Sequence, residues 1–542
     1  MNNTFIIAGR SSALSLAQME LFKQKALAVA AQSKFAFHCI ETAGDKDQSK
    51  PLHLVEGTNF FTQDVQELLQ KGIAHFAVHS MKDVSRIDFF KNSAYAIIDR
   101  NALHDIAIFS HRALQKLKAG QPISIGTSSP RRSLMAIRFL QSHLPQYHKN
   151  ILLKAIPIRG NVEVRLQKME AGQADAVILA AAGLNRLLQT KSMGATVSQL
   201  LQGTKTMQLP LFECPPALGQ GAIVVEAHHS NAAAVALLQQ INDKELTAAI
   251  DAERRFAEKF GYGCSQQFGA FHLNTPHLSF SYAAGTDKDG QAIEEWSYPQ
   301  PLVAANKKIF DASQYRQQFF KATAIPYHLP KTTEVIFVAS PRAAQTLDVN
   351  IAAQSKIWAA GSKTWKTLAA KGIWVQGAAD ELGLEHVLTQ WQRPLYQYQK
   401  ENILILTSAH SAALHQQQGW QAMGTYRLKP GNTKAWQQEA AGSDVFFWTG
   451  YRQYLLAKPF LKKDARHFCL PGATAHFLKA EGLHPQCFPT LKAFHQWLHA
   501  REAKRNDALQ QPFPTPSTPL LNKEIILPHY IRPVPGKALH TT

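Results

Sequence analysis

Acidic residues are in short supply. The chain has 39 Asp and Glu against 58 Lys and Arg, a formal net charge of +19 over 542 residues. Such an excess favours anionic partners without naming one. Cysteine is scarce as well. The five present, Cys39, Cys214, Cys264, Cys469 and Cys487, are odd in number and lack the paired spacing of a zinc site. That excludes a disulfide framework and sets the expectation of a reducing cytoplasm and no bound metal. Long apolar runs are missing. Ala176–Leu184, among the longest, falls well short of the roughly 18 residues a membrane helix needs. Arg10 interrupts the stretch Phe5–Ala8, so the N-terminus has no signal-peptide layout. What the chain does have is 45% hydrophobic residues, enough for packed cores and too many for disorder throughout. Its length calls for about three to five domains.

The first half alternates short apolar runs with helical patterns. Phe5–Ala8, Phe76–His79, Ile123–Ile125 and Ala176–Leu179 read as strands, each followed by a turn and a helix-like segment. This is the pattern of a doubly wound α/β fold. Lys244–Phe260 reads as a helix ended by Gly261. A boundary falls at 325–333, where two prolines interrupt any periodicity. Beyond it a second α/β unit begins at Glu334–Ser340, with further strand-like runs at Asn402–Leu406 and Asp444–Trp448. That unit contains an internal repeat. Glu334-Val-Ile-Phe-Val-Ala-Ser340 is similar to Asp444-Val-Phe-Phe-Trp-Thr-Gly450, and Trp358-Ala-Ala-Gly-Ser-Lys-Thr364 to Cys469-Leu-Pro-Gly-Ala-Thr474. Two similar lobes are the simplest source of such a pattern. Residues 503–542 read as a disordered tail, since Pro512, Pro514, Pro516 and Pro519 forbid a regular element.

Basic and hydroxyl groups cluster where strands of the first half hand over to helices. Gly9-Arg-Ser-Ser12 follows the first strand. Gly126-Thr-Ser-Ser-Pro-Arg-Arg132 follows Ile123–Ile125, with Ser129 suited to an N-cap and Pro130 to the first helical position. Arg159-Gly-Asn161 opens another helix that carries Arg165. Helix N-termini attract anions, and ligands of open α/β sheets sit at the carboxyl ends of the strands. A single arginine there is ordinarily a solvated charge. Arg10, Arg131, Arg132, Arg159 and Arg165 at such junctions together suggest one anionic ligand, because guanidinium forks match carboxylate and phosphate geometry. Asp83, in His79-Ser-Met-Lys-Asp83, is the one acid placed among these cations. It is expected to stay ionised and either accept an N–H or stabilise a developing positive charge. Cys264, in Gly261-Tyr-Gly-Cys264, sits in a loop after a helix and is a candidate nucleophile or attachment point.

Taken in order, these segments closely resemble the hydroxymethylbilane synthase, or porphobilinogen deaminase, family. The matching pieces are Arg10–Gln18, Ala77–Val84, Gly126–Arg132, Ile158–Val162, Asp175–Gly183, Leu218–Ala222 and Gly263-Cys264, together spanning roughly residues 4–320. The resemblance implies an enzyme that condenses four porphobilinogen molecules head to tail, with loss of ammonia, into a linear tetrapyrrole. It implies a dipyrromethane cofactor held by a thioether to Cys264. Asp83 maps to the catalytic carboxylate that contacts pyrrole N–H groups and stabilises the cation left by deamination. Lys82, Thr127, Ser128, Ser129, Arg131 and Arg132 map to cofactor-holding groups. Arg10, Ser12, Arg159, Arg165 and Arg186 map to substrate-holding groups for acetate and propionate side chains. The implied fold is two type II periplasmic-binding-protein-like lobes, 1–103 with 205–229 and 104–204, plus a small α+β domain at 230–325 carrying the cysteine. A soluble monomer bound to neither membrane nor nucleic acid is expected.

Departures from the family pattern are specific. Thr58 and Gln63 stand where lysines are expected, Ser265-Gln266-Gln267 replaces an apolar-proline run, and His104 replaces an arginine. The second half, 333–500, resembles a two-lobed uroporphyrinogen-III synthase, with Gly361 and Gly472 in its paired turns and Tyr426 and Tyr451 as candidates for an active-site tyrosine. It starts late for that family, so a shortened, non-catalytic synthase-like unit is the rival reading. A non-catalytic anion-binding module and a nucleic-acid-binding protein are the remaining alternatives. The first has no need of Asp83 and Cys264, and the second lacks aromatic residues interleaved with its basic ones.

Overall fold

The computed structural model describes residues 4–42, 62–84, 87–148, 150–261, 267–330 and 333–510. One compact unit extends to Phe494, and a second begins at His495. The second is described only through the end of the helix Leu491–Gln510. That helix corrects the start of the expected tail: residues 503–510 are helical, because the prolines that forbid a helix begin only at Pro512. The rest of the tail lies outside the described residues. Among the described residues no helix is long and apolar enough to cross a membrane.

The protein is a mixed α/β structure in which the first half builds two five-stranded sheets of the same design. In the first sheet the order is Lys34–Ile40, Thr4–Arg10, Phe76–Ser80, Ala222–His228, Ser93–Arg100. In the second it is Leu153–Ile156, Ile123–Gly126, Ala176–Ala180, Asp105–Phe109, Lys205–Gln208. Each sheet has three parallel strands beside an antiparallel one that arrives from the other lobe. The chain therefore crosses between lobes twice, and the carboxyl ends of the parallel strands of both sheets border the space between them. The central parallel strands Phe76–Ser80 and Ala176–Ala180 are buried on both faces, as their apolar runs require. The strand Lys205–Gln208 pairs with Asp105–Phe109, so the return crossing comes after Gln208 rather than at 204.

A three-stranded antiparallel sheet, Gly269–Asn274, Ser279–Thr286 and Ala292–Ser297, follows. The helix before it runs Lys244–Ala257 and tightens into a 3₁₀ turn, Glu258–Phe260. Gly261 ends it at φ 104°, the left-handed backbone that glycine adopts without cost.

The C-terminal half begins earlier than its sequence suggests. Ile309–Asp311 pairs in parallel with Val445–Trp448, and Phe320–Ala324 pairs antiparallel with Gln421–Pro430. Residues 309–324 thus belong to this unit and not to the domain assigned to 230–325. Their strands are short and their partners lie more than a hundred residues away, so no local periodicity marks them. The result is two sheets. One has four strands, in the order Ile309–Asp311, Val445–Trp448, Arg466–Cys469, Gln486–Cys487. The other has six, in the order Phe320–Ala324, Gln421–Pro430, Ile403–Ser408, Val335–Val338, Lys356–Ala359, Val375–Ala378. The sequence repeat has a structural counterpart. Val335–Val338 and Val445–Trp448 each lead through a turn into a helix, as do Lys356–Ala359 through Gly361 and Arg466–Cys469 through Gly472.

The two halves share one hydrophobic core. It joins Phe109, Phe139 and Leu140 of the second lobe to Phe271 and Tyr282 of the small domain and to Trp365, Leu368 and Trp448 of the C-terminal half. Trp365 is fully buried and donates its indole N–H to the His143 carbonyl at 2.9 Å. The edge strand Val375–Ala378 lies beside the edge strand Lys205–Gln208. There the Trp374 indole donates to the Thr206 carbonyl and the Gln376 amide to the Thr206 hydroxyl, both at 3.0 Å. An exposed edge of each sheet is thereby covered.

Candidate active site

A cleft of about 330 Å³ opens at the strand ends between the first two lobes. Arg10 ends the strand Thr4–Arg10, and Ser12 caps the helix that follows by accepting from the Ser15 amide at 3.3 Å. The strand Phe76–Ser80 passes into a 3₁₀ turn, Met81–Asp83, which presents Lys82 and Asp83. From the second lobe come Ser128 and Ser129, Arg131 and Arg132, Arg159 and Arg165, and Arg186. Every one of these positions lines the same cleft.

Thr127 is the exception among the described site residues. It is buried beneath the turn, where its hydroxyl accepts from the Ser129 amide at 3.2 Å. That bond helps to shape the turn that presents Ser128 and Ser129. The other hydroxyls are also engaged. Ser129 caps the helix Pro130–His143 with Pro130 at its start, as its position before that proline predicts. Ser128 donates to the Ile158 carbonyl at 2.8 Å and accepts from the Ile158 amide at 3.2 Å, tying two strand-end loops together. Cys264, Ser265, Gln266 and Thr58 lie outside the described residues. Gln63 starts the helix Gln63–Gln70.

The cations differ in how they are held. Arg131 and Arg132 both donate to Asp105, at 2.7 Å each, and their remaining bonds go to the Pro215 and Ile178 carbonyls. Burial opposes ionisation of Asp105, yet the two guanidiniums hold its carboxyl well below the usual carboxylate range. Arg186 donates to Asp99 at 2.6 Å and to the Gly221 carbonyl at 2.7 Å. Lys82 and Arg165 have no carboxylate within salt-bridge distance among the described residues; Arg165 donates only to the Gly160 carbonyl, at 2.7 Å. Burial lowers the pKa of Lys82, Arg132 and Arg165 lower it further, and Asp83 opposes them. Burial also brings Arg165 down to about 10, with Arg132 and Arg159 adding and Asp83 opposing. The cleft therefore holds crowded positive charge that an anion would relieve, with Asp83 the carboxylate that counters Lys82 and Arg165.

Sequence reasoning missed the carboxylates that order these cations. Asp105 opens a buried strand whose other residues are all apolar, and such a lone acid at the head of a buried run is the signal that was available. Glu253 accepts from Arg100 at 2.7 Å and from the Gly219 amide at 2.5 Å. Gly219 and Gly221 take positive φ of 68° and 82°, and a Cβ at Gly219 would fall 2.7 Å from Met81 Cγ. Glycine there lets the return crossing pass directly against the turn that presents Asp83. Glu226 meets His79 at 2.9 Å beneath the same turn. In the C-terminal half Tyr426 lies in the strand Gln421–Pro430, whereas Tyr451 starts the helix Tyr451–Ala457. Tyr426 contacts the Ser340 hydroxyl at 3.1 Å, and Tyr451 donates to Glu481 at 2.6 Å.

Comparison with known proteins gives the same answer as the cleft. Residues 5–236 match the family model described as "Porphobilinogen deaminase, dipyromethane cofactor binding domain". Porphobilinogen deaminase of Nitrobacter winogradskyi is 35% identical over 281 residues, 51% of this chain and 80% of that protein. The Thiobacillus denitrificans enzyme is 31% identical over 299 residues, 55% of this chain and 86% of that protein. The Limosilactobacillus reuteri enzyme is 29% identical over 323 residues, 59% of this chain and 98% of that protein. With Arg10, Asp83, Arg132 and Arg165 brought to one cleft from distant strands, and with relatives matched over most of their own length, the chain belongs to the porphobilinogen deaminase family, transferases that carry a dipyrromethane cofactor.

Proposed function

We propose that the first half is a hydroxymethylbilane synthase that joins four porphobilinogen molecules into a linear tetrapyrrole, releasing ammonia at each addition. The observation that carries this reading is Asp83 set among Lys82, Arg132, Arg159 and Arg165 at the mouth of paired strand ends. Each incoming pyrrole brings two carboxylates, and the crowded guanidiniums supply the matching forks. Asp83 is placed to accept pyrrole N–H groups and to stabilise the positive charge that develops as ammonia departs. Arg131 and Arg132, clamped by Asp105, keep fixed positions and offer their outer edges to the cofactor's carboxylates. Lys82, Ser128 and Ser129 complete that wall, while Arg10, Ser12, Arg159, Arg165 and Arg186 receive the growing chain. The dipyrromethane, when bound to Cys264, supplies the pyrrole carbon on which the chain is built.

Intact mass spectrometry of the full chain tests this. A two-pyrrole adduct is expected, lost in Cys264→Ala. Asp83→Asn is expected to keep the adduct and lose most turnover. No adduct, together with wild-type turnover in Cys264→Ala, would sink the proposal.

For the C-terminal half we propose uroporphyrinogen-III synthase activity, closing the tetrapyrrole made next door. What supports it is that the strands Ile309–Asp311 and Phe320–Ala324 supply the opening elements whose absence favoured a shortened, inert unit. Feeding porphobilinogen to the full chain and separating the oxidised porphyrins decides the matter. The type III isomer is expected, and type I alone would show that this half does not cyclise.

A further inference from the structure

We propose that His104, Asp380 and His386 form a binding site for a first-row divalent metal ion of the zinc class, at the junction of the deaminase and the C-terminal half. Asp380 Oδ2 lies 2.9 Å from His104 Nε2 and 3.4 Å from His386 Nε2. One ligand atom from each residue falls within 4.8 Å of the other two. The three residues come from both halves. His104 immediately precedes the strand Asp105–Phe109, at the first crossing between lobes. Asp380 and His386 follow the strand Val375–Ala378 of the C-terminal unit.

The site is built rather than incidental. Asp380 Oδ1 accepts the Leu211 amide at 2.8 Å, which fixes the carboxylate and leaves Oδ2 directed at the imidazoles. Asp380 and Glu381 both take left-handed backbone, φ 51° and 60°. Two such residues in succession cost about 1–2 kcal/mol each, so packing must hold this turn in place. His104 and Asp380 are essentially inaccessible, with side-chain exposures of 1% and 0%. His386 Nε2 is buried without a hydrogen-bond partner, although it faces a carboxylate.

The donor set selects the ligand. Two imidazoles and one carboxylate suit zinc and its first-row neighbours, whereas calcium and magnesium prefer oxygen alone. The His386 side chain is 17% exposed, which gives an entry path and room for a water as fourth ligand. His104 occupies a position where the family resemblance expects arginine. An arginine there would pair with Asp380 but could not ligate a metal; histidine can. Metal-ligand spacing in the sequence could not reveal the site, because His104 and Asp380 are 276 residues apart.

The test uses the full chain, stripped with a chelator and dialysed against Zn²⁺. One Zn²⁺ per chain is expected in the wild type, with affinity about 100-fold or more weaker in His386→Ala. Zn²⁺ should raise the thermal midpoint of the wild type and not of that variant. His386→Cys, which keeps a ligand atom, should retain zinc. Visible absorption of Co²⁺-loaded wild type gives a readout that needs no variant, and a spectrum of four-coordinate cobalt is expected. Equal zinc content in wild type and His386→Ala would overturn the proposal. So would a wild type that retains no zinc and gives no four-coordinate cobalt spectrum, leaving only a proton shared between His104 and Asp380.

Discussion

Replacing Trp365 with alanine should destabilise the deaminase, although Trp365 belongs to the C-terminal half. The indole is 0% exposed, packs edge-on against Phe139 at 5.1 Å between ring centroids, and donates to the His143 carbonyl at 2.9 Å. Removing a buried tryptophan costs about 3–5 kcal/mol. Orphaning a buried carbonyl adds about 1–3 kcal/mol. Partial collapse of the cavity recovers some of this, so a loss of about 4–6 kcal/mol is expected, a large share of the roughly 5–15 kcal/mol that holds a typical domain. Trp365→Phe keeps most of the ring contact and forfeits the hydrogen bond, and should lose only about 1–2 kcal/mol. The assay is a urea titration read by tryptophan fluorescence and, in parallel, by residual porphobilinogen consumption. Because one core runs through both halves, both midpoints should fall together in Trp365→Ala, with Trp365→Phe between it and wild type. An unchanged activity midpoint beside an early fluorescence transition would refute the shared core and make the C-terminal half an independent domain.

Two further outcomes are expected. Asp105→Asn should lower the thermal midpoint sharply, since it leaves Arg131 and Arg132 buried without their shared carboxylate; breaking a buried pair on one side costs about 3–5 kcal/mol. Differential scanning calorimetry measures this, and an unchanged midpoint would contradict the structural role assigned to Asp105. The second concerns pH. Burial pushes His467 down to about 4, and its Nδ1 accepts the Trp448 indole N–H at 3.1 Å, so the native state needs a neutral ring. A base whose folded pKa is depressed binds fewer protons in the native state. Stability is therefore complete above the unfolded value of about 6.5 and falls as pH drops toward 4, by no more than about 3 kcal/mol. His467→Gln should flatten that dependence in urea titrations at several pH values; a parallel slope in the variant would assign the acid sensitivity elsewhere.

Much of the site was legible because its parts are local. The apolar run Ile123–Ile125, the Ser129 cap and Pro130 lie within eight residues, and a strand-turn-helix reading needs nothing beyond that window. The same is true of Phe76–His79 leading to Lys82 and Asp83. That the junctions meet at one cleft follows from the α/β rule that ligands sit at strand carboxyl ends. That Thr127 lies buried beneath its turn was not legible, because a hydroxyl in a turn looks the same in sequence whether it faces the cleft or the backbone beneath.

The sequence by itself determined the strand–helix order of the first half, its caps, the identity of the cations and the acid that stands among them. Those depend on periodicity and turn chemistry over a few residues. Only the tertiary structure decided that Asp105 binds Arg131 and Arg132, that the C-terminal unit opens at Ile309, and that His104 meets Asp380 and His386. Each is a contact between segments tens to hundreds of residues apart. Such contacts are selected by the packing of one shared core, and no window along the chain contains both partners.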